Sequence, residues 1–404
     1  MFHPPGSLPC RMRFRNTKIQ PRPSPTRACR RRNRQNKGKI VARFALTADW
    51  HCDQAAYGRH PTMTGDSLFG LQQIVDYCVD PENKISVLLA AGDLYDGPSP
   101  TSTVQMAVHR QLDRLRSACI PVWHIQGQHE NCAKVPRLDT SLNVTHLDGI
   151  AESYDQFKVA GLDYRPRDQL LVSLKEVALL GPKLLMLHQV WSDFMGSVAD
   201  CQAAFSELPD VPWVLTGDYH VAEVRPKQGP KKRTTVVSPG STHMRSIDET
   251  QEKSFQVLDT KTNKLTQVPL LTRPFLRMYV HSEFALGEFL KKLKAFLKPV
   301  RDDLPRQLRS PYVVVDFEEP AGDVEKVIRK FLATDPDLLQ RDVSCFLYCR
   351  PVESANTKLT LDDIDIRDTV SADQALAEVV DETSEEFLGV KRFLDGAEGF
   401  EAAY

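Results

Sequence analysis

Five short stretches concentrate the residues able to do chemistry: Asp49 and His51 in "DWH", Asp93 and Asp96 in "GDLYD", Gln128 and His129 in "GQHE", His188 in "LH", and Asp218 and His220 in "GDYH". Carboxylates, imidazoles and one amide, with no thiolate among them, are donors suited to Mn²⁺, Fe²⁺ or Zn²⁺ at a reactive centre rather than to a structural zinc. Two such ions about 3.5–4 Å apart, sharing a carboxylate, would suit phosphoester hydrolysis: they activate a water, fix the phosphate and neutralise charge on the attacking and leaving oxygens. A lone histidine after an apolar run is usually structural, whereas five loaded run ends in one chain are not explained that way.

What must position these residues is a set of strands. Six apolar runs, "VARFALTADWH", "ISVLLAAGD", "IPVWHIQGQH", "KLLMLHQV", "VPWVLTGDYH" and "TTVVSPGS", each stop at Gly, Asp, His or Pro. Near-continuous apolarity over about five residues suits strands buried on both faces. In such sheets ligands bind beyond the carboxyl ends of the strands. Asp49 and His51, two apart, point the same way if the chain there is extended. Glycines 92, 127 and 217 are expected to let the backbone turn off each strand. Helical spacing appears in 66–79, opening with an Asp cap, in 101–118 and in 200–208. Strands alternating with helices predict a layered α/β domain over residues 41–275. Residues 276–355 read as a small α+β unit, with helices at 283–298 and 321–333 and strands at 310–319 and 342–352. His109, on a helix, and His124, inside a strand, are expected to pack.

The 41% hydrophobic and 26% charged fractions are those of a soluble globular protein. No apolar run reaches the ~20 residues a bilayer span needs, and the first residues hold no secretory apolar segment. Nine scattered cysteines without a CxxC pair suggest reduced thiols in a cytoplasmic protein. The net charge of −1 conceals an asymmetry: residues 1–40 carry 12 Lys and Arg and no acid, leaving 40 basic and 53 acidic residues beyond them. That arm cannot build a core and is expected to be disordered, gripping nucleic-acid phosphates or serving as a presequence. The basic turn 229–235 could also touch DNA. The acidic end, 356–404, is expected to be a linker with amphipathic helices from 371, packing on its own domain or docking on a partner.

Taken together, "DWH", "GDLYD", "GQHE", "LH" and "GDYH" resemble the calcineurin-like metallophosphoesterase motifs DxH, GDxxD, GNH(D/E), H and GHxH. "SPGSTHMRS" and "TRPF" are similar to the end of the catalytic domain in SbcD-type DNA repair nucleases. The resemblance implies a layered β-sandwich metallophosphoesterase domain flanked by helices, with a small capping domain behind it. It implies Asp49, His51 and His220 at one metal, Asp93 bridging, and Gln128, His188 and Asp218 at the second, with Mn²⁺ expected and Mg²⁺ or Fe²⁺ also suitable. His129 would act on the leaving oxygen, Asp96 would orient a ligand or His129, and Ser241, Arg245 and Ser246 would touch a phosphate backbone. Gln128 stands where the family has Asn and Asp218 where it has His. Both can ligate through oxygen, but together they raise the possibility of a degenerate second site favouring a hard ion.

The resemblance further implies a DNA exo/endonuclease subunit acting in repair with an SbcC-type coiled-coil ABC ATPase, bound through the C-terminal helices, and a homodimer formed through the helix at 101–118. Two other readings stay open: an esterase for a small phosphoester, favoured by the acidic body, and a non-catalytic scaffold that has lost its second metal.

Overall fold

The computed structural model describes residues 42–351 apart from 54, 58–59, 131–142, 196–202, 227–233, 250, 281–282, 300–301, 318–323 and 340–344. The basic arm, the acidic tail and most of the basic turn at 229–235 lie outside the described residues. In chain order the elements begin with β1 (Arg43–Thr47), β2 (Ala55–Tyr57), β3 (His60–Thr64), α1 (Asp66–Val79), β4 (Ile85–Ala91), α2 (Ser102–Ser117), β5 (Val122–Ile125) and β6 (Val144–His146). There follow β7 (Ala151–Tyr154), β8 (Phe157–Gly161), α3 (Arg167–Ala178), β9 (Leu184–His188), α4 (Ser192–Met195), β10 (Trp213–Gly217), β11 (Glu223–Pro226) and β12 (Thr235–Ser238). The last are β13 (Lys253–Asp259), β14 (Lys264–Leu270), β15 (Phe275–Val280), α5 (Glu283–Leu297), β16 (Tyr312–Phe317), α6 (Val324–Thr334), α7 (Pro336–Leu339) and β17 (Phe346–Pro351).

Two six-stranded sheets, ordered β14-β13-β1-β4-β5-β6 and β11-β12-β10-β9-β8-β7, face each other. In the first, β1, β4, β5 and β6 run parallel; in the second, β12, β10, β9 and β8 do. Alternate residues of the parallel strands fill the space between the sheets, including Phe44, Leu46, Leu89, Trp123 and Ile125 from one and Val159, Met186, Leu215 and Val237 from the other. The opposite set on the first sheet, such as Ala45, Leu88 and Val122, is covered by α1 and α2 through Leu71, Ile74, Val108 and Leu112. The second sheet is covered by α3 and by Trp191 and Phe205. Burial on both faces is why these strands read as unbroken apolar runs.

Helix starts were only partly legible. Thr101 caps α2, accepting from the Val104 amide at 3.3 Å. Asp66, expected as the cap of α1, is instead in its first turn, and Gly65 holds the cap position with φ 88°. The helix expected at 200–208 is not formed by its described part: Phe205–Glu207 make one 3₁₀ turn and Ala203 bridges to Trp191. Phe205 is held between Trp191 and Phe194, and its amide donates to the Asp193 carboxylate at 2.6 Å, which commits the backbone to a turn.

The small unit alternates strictly. β15, β16 and β17 are parallel, with helices in both crossovers, so the expected α+β unit is more specifically a βαβαβ arrangement. One sheet face packs Val313, Val315 and Leu347 under Phe289, Leu293 and Ile328. The other lays Tyr312, Val314, Phe275 and Phe346 on Met63 of β3 and Met244 of the loop between β12 and β13. Arg273, from "TRPF", bolts this contact: its guanidinium donates to the Asp66 carboxylate at 2.9 and 2.8 Å and to the Ser310 carbonyl at 2.8 Å, and lies over the Phe346 ring. Both partners are buried. Cys52, Cys78, Cys345 and Cys349 are free thiols, but Cys119 is disulfide-bonded, contrary to the expectation of reduced thiols.

Candidate metal centre

The strand ends converge through backbone that leaves the extended region as soon as each strand stops. Asp49, His51, Asp93 and Asp218 all adopt positive φ (50°, 40°, 50° and 79°), a conformation uncommon for non-glycine residues, though Asp and His enter it more readily than most. Asp49 and His51 therefore reach the centre from a left-handed turn and not, as expected, from an extended chain. The Asp49 amide donates to the Gly92 carbonyl at 3.1 Å and the His51 amide to the Asp93 carbonyl at 2.9 Å, which ties the ends of β1 and β4 together. The Asp218 amide donates to the Asp49 carboxylate at 3.0 Å, drawing in the end of β10. Only Gly92 of the three expected turn glycines has positive φ; Gly127 and Gly217 supply space. A Cβ at Gly127 would overlap Asp93 Oδ1, and one at Gly217 would overlap the Ala91 carbonyl and the His188 ring.

Asp49, His51, Asp93, His188 and His220 meet in one cluster. His51 Nε2 lies 3.2 Å from His220 Nε2 and 3.6 Å from Asp93 Oδ2. His188 Nε2 lies 3.3 Å from Asp93 Oδ2 and 3.9 Å from Asp49 Oδ1. Three overlapping groups, Asp49–His51–His220, His51–Asp93–His129 and Asp49–Asp93–His188, each bring donor atoms within 4.8 Å of one another. Asp218 is outside these groups, its Oδ1 3.9 Å from His188 Nε2, and exposed Gln128 directs its amide nitrogen to Asp218 Oδ1. These two, expected as ligands of a second metal, are thus paired with each other.

The donor set fits a cation. His188 donates through Nδ1 to the Ala91 carbonyl at 2.7 Å, and His220 through Nδ1 to Glu249 at 2.8 Å, so both turn Nε2 to the centre. Asp93 Oδ2 and His188 Nε2 are buried and make no hydrogen bond. Buried polar atoms facing one point are costly unless a cation meets them. Burial, followed by the Arg245 charge, holds the His51 imidazole well below its usual range, hence neutral and able to ligate. Burial opposes charge on His188 too, but the Asp93, Asp49 and Asp218 carboxylates outweigh it and lift the ring to about 10. Burial would raise Asp93, yet His188, His51 and His129 hold it below the usual carboxylate range. Asp49, dominated by burial, rises to about 6.

A family model described as calcineurin-like phosphoesterase matches residues 42–222. The chain contains a calcineurin-like metallophosphoesterase domain. Two curated relatives, both named DNA double-strand break repair protein Mre11, are similar over 256 residues. That of Methanosarcina acetivorans is 27% identical and that of Methanosarcina mazei 26%, each match covering 58% of this chain and 39% of the relative. The chain thus spans about two-fifths of the length of these relatives. Two solved structures are similar at TM-scores of 0.33 and 0.27: a novel archaeal phosphodiesterase (12% identical, covering 56% of this chain and 99% of that one) and a single mutant of Vps29 from Entamoeba histolytica (15%, 57% and 99%).

Within the phosphoesterase domain the remaining candidates divide. His129 donates through Nδ1 to the Asp96 carbonyl at 2.8 Å, leaving Nε2 3.9 Å from Asp93 Oδ2 and its side chain one-third exposed. The Asp96 carboxylate pairs with Arg245 and lies 3.2 Å from His51 Nδ1 without hydrogen-bonding to it, so Asp96 braces the His129 ring alone, through its carbonyl. Arg245 reaches within 3.3 Å of His51 Nε2, and Ser246 is exposed beside it. Ser241, expected at a phosphate backbone, is fully buried; its hydroxyl donates to the His243 carbonyl at 2.9 Å, and its oxygen lies 3.2 Å from a Glu249 carboxylate oxygen. It supports the centre from behind and cannot reach a substrate. His124 is buried and stacks on His146, as a packing residue does.

Two residues escaped the sequence reading. Glu249 holds His220, and nothing in "IDETQEK" distinguishes it from its acidic neighbours. Glu130, last in "GQHE", is buried and accepts the Tyr95 amide at 3.0 Å, joining the loops after β5 and β4; burial lifts its carboxyl to about 8. Among the described residues no helix is long and apolar enough to cross a membrane.

Proposed function

We propose that this chain is a DNA-cleaving phosphodiesterase that uses two divalent cations, Mn²⁺ foremost, and works in DNA repair with an SbcC-type coiled-coil ATPase. What carries the reading is the meeting of Asp49, His51, Asp93, His188 and His220 in a domain whose curated relatives are named for double-strand break repair. In this reading Asp49, His51 and His220 hold one cation, His188, Asp218 and Gln128 the other, and Asp93 lies between. When bound, the cations supply Lewis acidity to a phosphoryl oxygen and acidify water. His129, fixed by the Asp96 carbonyl with Nε2 toward the centre, gives a proton to the leaving oxygen or stabilises charge there. Arg245, partly exposed beside buried His51, meets a phosphate oxygen, and exposed Ser246 contacts the neighbouring backbone. The βαβαβ unit at 276–355 serves as a cap that holds DNA, residues 371–404 dock on the ATPase, and α2 forms a homodimer contact.

The test is hydrolysis of linear DNA and of a chromogenic phosphodiester by the full chain with Mn²⁺, with and without the ATPase. Cleavage of both supports the reading. Cleavage of the chromogenic ester alone, in both conditions, identifies a small-phosphoester esterase instead. The pairing of Gln128 with Asp218 favours one other reading, a scaffold with a degenerate second site, which one tightly held ion per chain and no hydrolysis would establish.

A further inference from the structure

The two histidines that close the centre are backed differently. His220 donates through Nδ1 to the Glu249 carboxylate at 2.8 Å. That carboxylate is itself locked: its second oxygen accepts from Lys253 Nζ at 2.6 Å and from the Arg245 amide at 3.3 Å, with Ser241 Oγ 3.2 Å away. Lys253, the first residue of β13, is buried and also donates to Ser241 Oγ at 2.8 Å. At Nδ1 His188 has a neutral partner, the Ala91 carbonyl at 2.7 Å, while its Nε2 faces the Asp93, Asp49 and Asp218 carboxylates at 3.3, 3.9 and 3.9 Å. Asp218, on the His188 side, has Oδ1 engaged by the amide of exposed Gln128, a bond a cation must break to use that oxygen; on the His220 side Arg245 Nη1 stands 3.3 Å from His51 Nε2 and must likewise give way.

An anionic partner fixes the imidazole tautomer and makes the ligating nitrogen more basic, and losing such a partner typically weakens metal binding about 10–100-fold. A carbonyl fixes the tautomer with much less effect on basicity. We infer that Glu249 is a positioning residue that makes the His220 half of the centre its tight half, so that the chain takes up its two cations in order. The first goes to Asp49, His51 and His220 with Asp93, the second and weaker to Asp93 and His188 with Asp218. The inference rests on the two-cation reading above. Occupancy of the weaker half, governed by the Gln128–Asp218 contact, then sets how much of the protein is competent for hydrolysis at a given metal concentration.

The experiment titrates metal-depleted full-length protein with Mn²⁺, counting unbound ion by its electron paramagnetic resonance signal. Wild type should show two classes of one ion each. Because Glu249→Gln alone leaves Lys253 buried without an anion, the paired variant Glu249→Gln, Lys253→Met is used, with a circular dichroism melt as folding control. It should weaken the tight class about 10–100-fold and leave the other unchanged. Asp218→Ala, outside the Glu249 network, should do the reverse, and it keeps the ordering testable if the paired variant does not fold. Two equivalent ions in wild type, unchanged classes in the folded paired variant, or loss of the tight class in Asp218→Ala would each overturn the inference while leaving the two-cation reading in place. A wild type that binds no Mn²⁺ would remove both.

Discussion

Parallel strands β1, β4, β9 and β10 of the sandwich and β15, β16 and β17 of the small unit share one local architecture, yet their polar residues do opposite things. In the small unit the buried Asp316 carboxylate is consumed by Arg277 and Arg350, each donating through Nε at 2.7 Å, and Asp66, on the sandwich helix it packs against, is consumed by Arg273. In the sandwich Asp93 Oδ2 and His188 Nε2 are buried and face each other at 3.3 Å without a hydrogen bond, with His51 Nε2 3.6 Å from the same oxygen. The contrast separates charge that holds a fold together from charge kept for an incoming ion. Topology does not distinguish the two; the accounting of polar atoms does.

Each side of that contrast can be attacked. The largest effect should come from stripping the cations: chelation should take phosphodiester hydrolysis to background while the far-ultraviolet circular dichroism spectrum stays native, because the sandwich core of Phe44, Leu46, Leu89 and Met186 needs no metal. Loss of fold on chelation would mean that the centre is structural. Next, His129→Ala should lower hydrolysis about 10²–10⁴-fold without changing bound Mn²⁺; a fall in metal content would make His129 a ligand instead.

On the structural side, Arg273→Ala should cost about 3–5 kcal/mol in urea unfolding, since it leaves Asp66 buried without its cation. Per folded molecule, hydrolysis of a chromogenic ester should be unaffected. Cation binding should also release protons. In the metal-free protein His188 stays protonated up to about pH 10 and Asp49 up to about pH 6. A cation at His188 Nε2 must displace that proton at neutral pH, and below about pH 6 one at Asp49 as well. Affinity should therefore fall about tenfold per pH unit on acidification from pH 8, and more steeply below 6. Calorimetry in buffers of different ionisation enthalpy reads the protons directly, and a pH-independent affinity would refute the assignment. The smallest effect belongs to Arg277→Ala, about 1 kcal/mol or less, because its pairs are partly exposed and Arg350 still holds Asp316.

Much of the centre was legible because its residues sit at strand ends, where an apolar run stops at Gly, Asp or His. The strands carrying Asp49, Asp93, Gln128, His188 and Asp218 fall where their runs predicted, as does α1 over 66–79. The β13–β14 hairpin was missed because β14 alternates exposed and half-buried residues in "KLTQVPL" and offers no apolar run. Helix α3 was missed too, its Val172 exposed and its apolar stripe confined to Leu170, Leu174 and Val177. Ser241 was assigned to the wrong side of the loop because a serine after "SPG" reads the same facing solvent or facing Glu249.

Residue type and spacing alone determined which side chains could bind a cation and that strands would carry them to one edge, since burial on both faces dictates composition strand by strand. Only the tertiary structure decided how those side chains are held. The left-handed turns at Asp49, His51 and Asp93, the Glu249–His220 bond across 29 residues and the Arg273–Asp66 bond across 207 join positions whose separation along the chain says nothing about their distance in space. Local pattern is set by what each residue must hide from water; pairing is set by how two sheets close on each other.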